Sequence, residues 1–232
     1  MDEVMDGNVV SYKDDGFLIY VPYGNRDRAL LRRYKQVRVG FIDSRTITDI
    51  QRRKAYALMY EISCFVGETP EQTKDREKWT FILKRLEAIE VQFFSLANCS
   101  VTLARKYITF LIDVIIENNM PTKKRLYELS DDLEHYMWAC LVNRKCAVCG
   151  TTYADLHHAD RVGMGRNRDE IFQLGMGVQS LCRIHHSECH AIGQDEFDKQ
   201  YHFVTVPLTP EIGKIYGLTK KNLEVTYASE VG

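Results

Sequence analysis

Cysteine and histidine residues concentrate in one stretch of this 232-residue chain, and their spacing is that of metal ligands. The pairs Cys146-x-x-Cys149 and Cys182-x-x-His185 each place two donors at the ends of a tight turn. Three thiols and one imidazole make the closed tetrahedral set that structural zinc prefers. If these were only buried thiols, two such spacings would have to arise independently in one short region. We therefore expect a structural Zn²⁺ here.

Three further histidines, His157, His186 and His190, form a second potential set. They could close three corners of another polyhedron and leave positions for water and substrate, as in a catalytic metal site. His186 and His190 are four residues apart and share a face of a helix predicted to begin about Cys182. The sequence predicts one catalytic divalent cation, which could be Mn²⁺, Mg²⁺, Ni²⁺ or Zn²⁺.

Two short predicted strands, Asp155 to His158 and Val178 to Leu181, lead into this helix. Neighbouring side chains on a strand point to opposite faces, so His157 and His158 face apart. One of them can bind an ion while the other faces water or a scissile group. Hydrolysis needs this division of roles.

The order of these residues, His-His, a loop, a strand and Cys-x-x-His-His-x-x-x-His, resembles the ββα-metal (HNH) endonuclease motif in its zinc-knuckle form, found in phage and restriction nucleases. It also resembles the bacterial DNase colicins. The resemblance covers about Cys146 to Ile192. It implies that His158 is the general base that activates water, while His157, His186 and His190 hold the catalytic ion. The reaction implied is phosphodiester hydrolysis without a covalent intermediate.

One position departs from that pattern. HNH proteins usually carry Asn nine residues before His186, and this chain has Gly177 there. Since that Asn is thought to brace the loop that carries the base, the loop must be held otherwise, or activity is weakened. Asn167 is one candidate replacement.

Arginines in and beside the same region are candidate phosphate contacts. Any one of these arginines could equally well lie in a solvated loop and contact no phosphate. They are Arg161, Arg166, Arg168 and Arg183.

Composition is that of an ordinary soluble chain, 45% hydrophobic and 27% charged, with a net charge of −1. Overall charge therefore favours neither a nucleic-acid binder nor a membrane-surface protein. The acidic N-terminus lacks the apolar core of a secretory signal, so we expect no membrane association and a cytoplasmic location, the host cytoplasm if the chain is phage-encoded. Seven cysteines in such a chain indicate metal ligands and buried thiols, with Cys64, Cys99 and Cys140 expected in the core.

Hydrophobic periodicity predicts an α+β fold, with N-terminal antiparallel strands and several helices followed by a zinc-stabilised ββα-metal module. We place the boundary so that residues 1–143 form the first domain and 144–232 the second. The predicted elements are strands at 17–23, about 37–41, 91–96 and 203–208, and helices at 48–66, 79–89, 100–119, 123–141 and 209–216, with a polar loop at 67–75.

Between Arg26 and Lys54 there are ten basic and three acidic residues. The run from Ser44 to Lys54 resembles the NinB-like, or Orf, recombination mediators of lambda-type phages, and the resemblance extends over about Val37 to Asn119. It implies a homodimeric domain that prefers single-stranded DNA and acts beside a recombinase or single-strand-binding protein. A basic amphipathic helix without that role would look similar. The candidate DNA contacts are Arg45, Arg52, Arg53 and Lys54.

Together these patterns predict a metal-dependent DNA endonuclease that acts on single-stranded, flap or branched intermediates of phage recombination or replication. The alternative is a non-catalytic accessory protein that binds single-stranded DNA, with structural zinc and histidines that only complete hydrogen bonds.

Overall fold

The structure is a computed structural model, and it describes residues 7–33, 39, 45–85, 94–160, 172–219 and 223. By packing density the chain divides into two compact units, Met1–Ile42 and Asp43–Gly232. The described residues form helices and two small antiparallel sheets, a mixed fold that agrees with the predicted α+β class. Their elements are β1 (Asn8–Lys13), β2 (Gly16–Tyr20), α1 (Arg26–Arg32), α2 (Asp49–Val66), α3 (Pro70–Arg85), α4 (Val101–Glu117), α5 (Leu126–Leu129), α6 (Leu133–Val142), β3 (Asp155–His158), β4 (Gly177–Leu181), α7 (Arg183–Ile192), α8 (Gln194–Tyr201), β5 (Val206–Pro207) and α9 (Pro210–Ile215).

The first unit contains a hairpin of β1 and β2, in which Tyr12 pairs with Phe17 and their rings lie 6.4 Å apart. The strand predicted at 17–23 is thus confirmed as far as Tyr20. The strand predicted at about 37–41 lies outside the described residues apart from Val39.

Helix α2 begins and ends at the predicted signals. The Thr48 hydroxyl accepts a hydrogen bond from the Gln51 backbone N–H at 3.1 Å, and the Gln51 side chain accepts from the Thr48 N–H at 3.2 Å. Gly67 ends the helix at φ 73°, in the left-handed region that glycine enters without steric cost. Leu58 and Ile62 on its buried face are fully inaccessible to solvent.

The polar loop predicted at 67–75 is wrong, because α3 already begins at Pro70. Proline is favoured in the first turn of a helix, where its missing N–H costs nothing. Thr69 and Gln72 exchange two hydrogen bonds of 3.0 and 3.3 Å and form a second capping box. The strand predicted at 91–96 is not found over its described end, since residues 94–96 are loop and turn.

Ser100 caps α4, as predicted, by accepting a hydrogen bond from the Leu103 N–H at 3.1 Å. The single helix predicted at 123–141 is wrong, since α5 and α6 are separate. Between them, the Ser130 hydroxyl bonds the Asp132 backbone, and the Asp132 carboxylate accepts from the His135 N–H at 3.1 Å. These side chains satisfy the backbone groups that a continuous helix would have paired.

The second sheet has the order β3-β4-β5, and both pairings are antiparallel. Helix α6 packs against β4, and the Tyr136 hydroxyl donates to the Ala147 carbonyl at 2.7 Å. Buried apolar residues run as one continuous core from Ile47 to Ile212. The helical part and the cysteine- and histidine-rich part are therefore packed into one compact unit, while the domain boundary at residue 143 stays a prediction.

The C-terminal segment supplies the remaining cover for this sheet. The strand predicted at 203–208 is reduced to the two residues of β5, and α8 was not predicted from the sequence. Cys99 and Cys140 are buried as predicted, but Cys64 is exposed, and its placement in the core was wrong. Among the described residues no helix combines the length and the apolar character needed to cross a membrane.

Candidate metal centre

The first cysteine pair lies on a tight turn between α6 and β3. The Cys146 N–H donates to the Thr151 carbonyl at 2.9 Å, and the Gly150 N–H donates back to the Cys146 carbonyl at 2.8 Å. Gly150 has φ 71°, which lets the chain reverse there. The Ala147 N–H bonds the Ser180 carbonyl at 2.9 Å, so β4 holds this turn beside the start of α7.

That contact brings together the four residues Cys146, Cys149, Cys182 and His185, whose ligand atoms all lie within 4.8 Å of one another. The Cys149 and Cys182 sulfurs are 3.8 Å apart, and the His185 Nδ1 lies 3.4 Å from the Cys146 sulfur and 3.1 Å from the Cys182 sulfur. Around a tetrahedral zinc the corresponding edges would be about 3.8 Å between sulfurs and about 3.6 Å between sulfur and nitrogen. The donor set could therefore hold a metal ion such as zinc.

Burial alters the protonation of two of these groups. It raises the pKa of the Cys146 thiol to about 12 and lowers the pKa of His185. A neutral imidazole is already a ligand, whereas a thiol must lose its proton to bind a cation. An ion bound here would release the Cys146 proton.

The second set comes from β3 and α7. The imidazole nitrogens of His157, His186 and His190 all lie within 4.8 Å of one another. The His157 ring is 4.7 Å from the His186 ring and 5.2 Å from the His190 ring, and the two helical rings stack at 4.8 Å. His157 is buried, His186 half-buried and His190 exposed. The set thus extends from the core to solvent, as a substrate-accessible ion requires.

A partly buried amide network fixes the orientation of His157. The Gln194 amide nitrogen donates to the Asp198 carboxylate at 2.9 Å and to the Gln179 carbonyl oxygen at 3.3 Å. Since both partners accept, the other end of the Gln194 amide must be its oxygen, which lies 2.8 Å from the His157 Nε2. His157 therefore carries its proton on Nε2 and has its lone pair on Nδ1, the atom that it could offer to an ion.

The protonation of His157 agrees with this arrangement. Burial lowers its pKa to about 4; the Gln194 hydrogen bond opposes that shift, while the nearby His186 and His190 add to it. The imidazole is neutral at physiological pH and available as a ligand.

His158 points to the other face of β3 and is half-buried. Its Nε2 lies 2.9 Å from the side-chain oxygen of Gln173, a residue that is only 5% exposed. Neither Gln173 nor Gln194 had a signal in the sequence, because a neutral glutamine 15 or 37 residues from its partner carries no local pattern.

Gly177 begins β4 where an Asn was expected. A Cβ built there would lie 3.0 Å from the Cβ and the hydroxyl of Thr205, so a larger side chain would require that neighbour to move. The Gly177 N–H donates instead to the Asp160 carboxylate at 2.7 Å. The alternative brace, Asn167, lies outside the described residues, as do Arg161, Arg166 and Arg168.

The remaining predicted DNA contacts differ in their surroundings. Arg52 donates to the carbonyls of Leu96 and Ala97, and Lys54 bonds Asp131 at 2.6 Å, so both hold the helical part together. Two others, Arg45 and Arg53, are exposed. Arg183 is also exposed and is 3.0 Å from the Asp155 carboxylate.

Two antiparallel strands, a helix and imidazoles from both define a class of strand–strand–helix unit that could hold metal ions. The chain belongs to the family described as "Putative HNHc nuclease", whose model matches residues 27–219. Membership supports a nuclease, with DNA as its class of substrate and a divalent metal ion as its class of cofactor. No curated protein and no solved structure matches the chain.

Proposed function

We propose that this chain is a metal-dependent DNA endonuclease that hydrolyses phosphodiester bonds with His158 as general base. The observation that carries the proposal is the pairing of one closed ligand set with one that reaches solvent, beside a histidine on the opposite face of β3. A protein that only needed a stabilising zinc would require the closed set alone.

The two sets take different ions. Cys146, Cys149, Cys182 and His185 hold a structural Zn²⁺, and His157, His186 and His190 hold one catalytic cation, Mn²⁺, Mg²⁺, Ni²⁺ or Zn²⁺. The catalytic cation, when bound, supplies positive charge that stabilises the phosphate and the departing oxygen.

His158 performs the proton transfer. Its imidazole takes a proton from a water molecule as the water oxygen bonds to phosphorus, and the bond from phosphorus to the leaving oxygen breaks. The leaving oxygen then takes a proton from solvent. Positioned proton transfer of this kind contributes about 10²–10⁴-fold to a rate.

The N-terminal part delivers the DNA. Its resemblance to recombination mediators and the exposed Arg45 and Arg53 support binding of single-stranded, flap or branched DNA. Arg52 and Lys54 contribute less, because their hydrogen bonds within the chain already occupy them. Arg183, together with Arg161, Arg166 and Arg168, contacts phosphates near the cut. The chain acts in the host cytoplasm during phage recombination or replication, as a homodimer beside a recombinase or single-strand-binding protein.

The test is cleavage of labelled single-stranded, duplex, flap and four-way-junction DNA with manganese, magnesium, nickel or zinc. The wild type is compared with His158→Ala and with His202→Asn, a control at an exposed histidine whose left-handed backbone, φ 56°, Asn tolerates. We expect metal-dependent cutting that His158→Ala abolishes and His202→Asn leaves intact.

Equal cutting by His158→Ala and wild type would overturn the mechanism. If the protein binds single-stranded DNA but cuts in no metal, the non-catalytic accessory function replaces the enzyme. Titration with manganese separates the two further, since only the enzyme requires a second and weaker metal equivalent.

A further inference from the structure

Gln173 is a buried amide that contacts His158 and has no other function assigned above. The hydrogen bond between its Oε1 and the His158 Nε2 is 2.9 Å long. Gln173 is 5% exposed, so water competes little for its side-chain oxygen. A buried polar group of this kind is costly unless its partners are held in place.

The backbone around Gln173 is fixed on both sides. The Met176 N–H donates to the Gln173 carbonyl at 3.1 Å and closes a tight turn, in which Gly175 has φ 83°. Leu208 clamps this turn: its carbonyl accepts from the Gly175 N–H at 2.9 Å, and its N–H donates to the Met176 carbonyl at 2.8 Å. The turn that carries Gln173 therefore cannot shift relative to His158 without breaking several hydrogen bonds.

The end of β3 that carries His158 is fixed as well. The Ala159 N–H donates to the Gly177 carbonyl at 2.9 Å, and the Asp160 carboxylate accepts from the Gly177 N–H at 2.7 Å. A side chain at position 177 would have to displace Thr205, and in this chain the contact at that position is made instead by Asp160, just after the end of β3. The strand end and the turn together fix the backbone on both sides of the hydrogen bond between Gln173 and His158.

From these contacts we infer that Gln173 is a positioning residue for phosphodiester hydrolysis, which orients His158 by accepting a hydrogen bond from its Nε2–H. The inference rests on the proposed function. A proton held on Nε2 leaves the lone pair on Nδ1, which receives the proton from water. Gln173 continues to accept from Nε2–H when His158 is doubly protonated, so the ring keeps its orientation throughout the step.

Two variants separate this role from simple filling of space. Gln173→Met has nearly the same size but lacks the strong acceptor, whereas Gln173→Glu keeps an acceptor oxygen. We expect Gln173→Met to lower kcat about 10- to 100-fold, less than the about 10²–10⁴-fold worth of a general base. KM for DNA and manganese affinity by calorimetry should not change. Gln173→Glu should stay within several-fold of the wild-type kcat.

If Gln173 only filled space, kcat would fall more in Gln173→Glu than in Gln173→Met, because burying a carboxylate is costly and burying Met is not. Wild-type kcat in Gln173→Met, or equal losses in the Met and Glu variants, would overturn the inference. Gln200→Ala, on the surface of α8, serves as the unaffected control. Wild-type cutting by His158→Ala is a different result and would remove the proposed function itself.

Discussion

Helices α3 and α4 pack through an aromatic cluster, whereas the segment from β3 to α8 also contains a network of hydrogen-bonded polar side chains. In the helical part the Tyr107 ring lies 5.2 Å from both Phe81 and Phe94. In the other part, one hydrogen bond joins the His157 ring to the Gln194 amide, and a second joins that amide to the Asp198 carboxylate. Apolar burial alone can stabilise the first arrangement. The second contains groups that bring a net gain only when their hydrogen bonds and ligands are complete.

Loss of the zinc ion proposed for the Cys146, Cys149, Cys182 and His185 set should produce the largest difference in hydrogen-exchange protection between the two regions. We expect Cys182→Ser to reduce bound zinc and to expose the backbone amides of β3, β4 and α7 to hydrogen exchange, while amides of α2 and α4 stay protected. Structural zinc sites in small peptides are worth about 10–16 kcal/mol, which exceeds the stability of most domains. Mass spectrometry of bound metal and of hydrogen exchange measures both effects.

Cys64→Ser is the matched control, since Cys64 is exposed and belongs to neither ligand set. It should bind zinc as the wild type does. If Cys182→Ser kept a full zinc equivalent and the wild-type exchange pattern, the stability of the second region would not depend on this site.

A smaller effect is expected when the amide network behind His157 is broken. Gln194→Ala removes the acceptor that holds the Nε2 proton, so the ring loses its fixed orientation. Groups that orient metal-binding histidines typically change metal affinity about 10- to 100-fold. Titration calorimetry with manganese should show this weakening at the second ion, with the zinc content unchanged. Equal manganese affinity in Gln194→Ala and wild type would assign the network to folding alone.

The smallest predicted effect is on stability and concerns the pair of His135 and Asp113 in the helical part. Their side chains are 2.9 Å apart, and the hydrogen bond with Asp113 raises the pKa of His135. Because the folded-state pKa is raised, the stabilisation is complete below the unfolded pKa of about 6.5 and is lost as the pH rises through the folded pKa. The pair is partly exposed, so we expect at most about 1 kcal/mol.

Urea unfolding of the wild type and of His135→Gln at pH 5.5 and at pH 8.5 measures that contribution. The substitution should lower the free energy of unfolding more at pH 5.5 than at pH 8.5. A cost that grows with pH would show that this interaction is not an ion pair. Addition of a metal chelator should leave the difference between the two pH values unchanged.

Sequence reasoning succeeded where the information is local. The capping box of Thr48 and Gln51, the Ser100 cap and the two strands before α7 each depend on residues a few positions apart. The same reasoning missed the start of α3 at Pro70, because a polar, charged stretch was interpreted as a loop.

The grouping of the ligand sets also followed from sequence, since two short spacings and one helical face determine it. The residues that contact the histidines and the strand ends around them did not. Gln173, Gln194 and Asp160 make contacts that only the folded chain creates, and Thr205 lies beside Gly177 only because the C-terminal segment returns to β4.

Strand β5 has a consequence for self-association. Among the residues that the structure describes, it forms the outer strand of the second sheet, and it ends with Pro207, which has no N–H to offer to another strand. Proline at a sheet edge prevents the continuous pairing through which exposed strands join neighbouring molecules. A homodimer of this protein would therefore not be expected to form by continuing the sheet at the β5 edge.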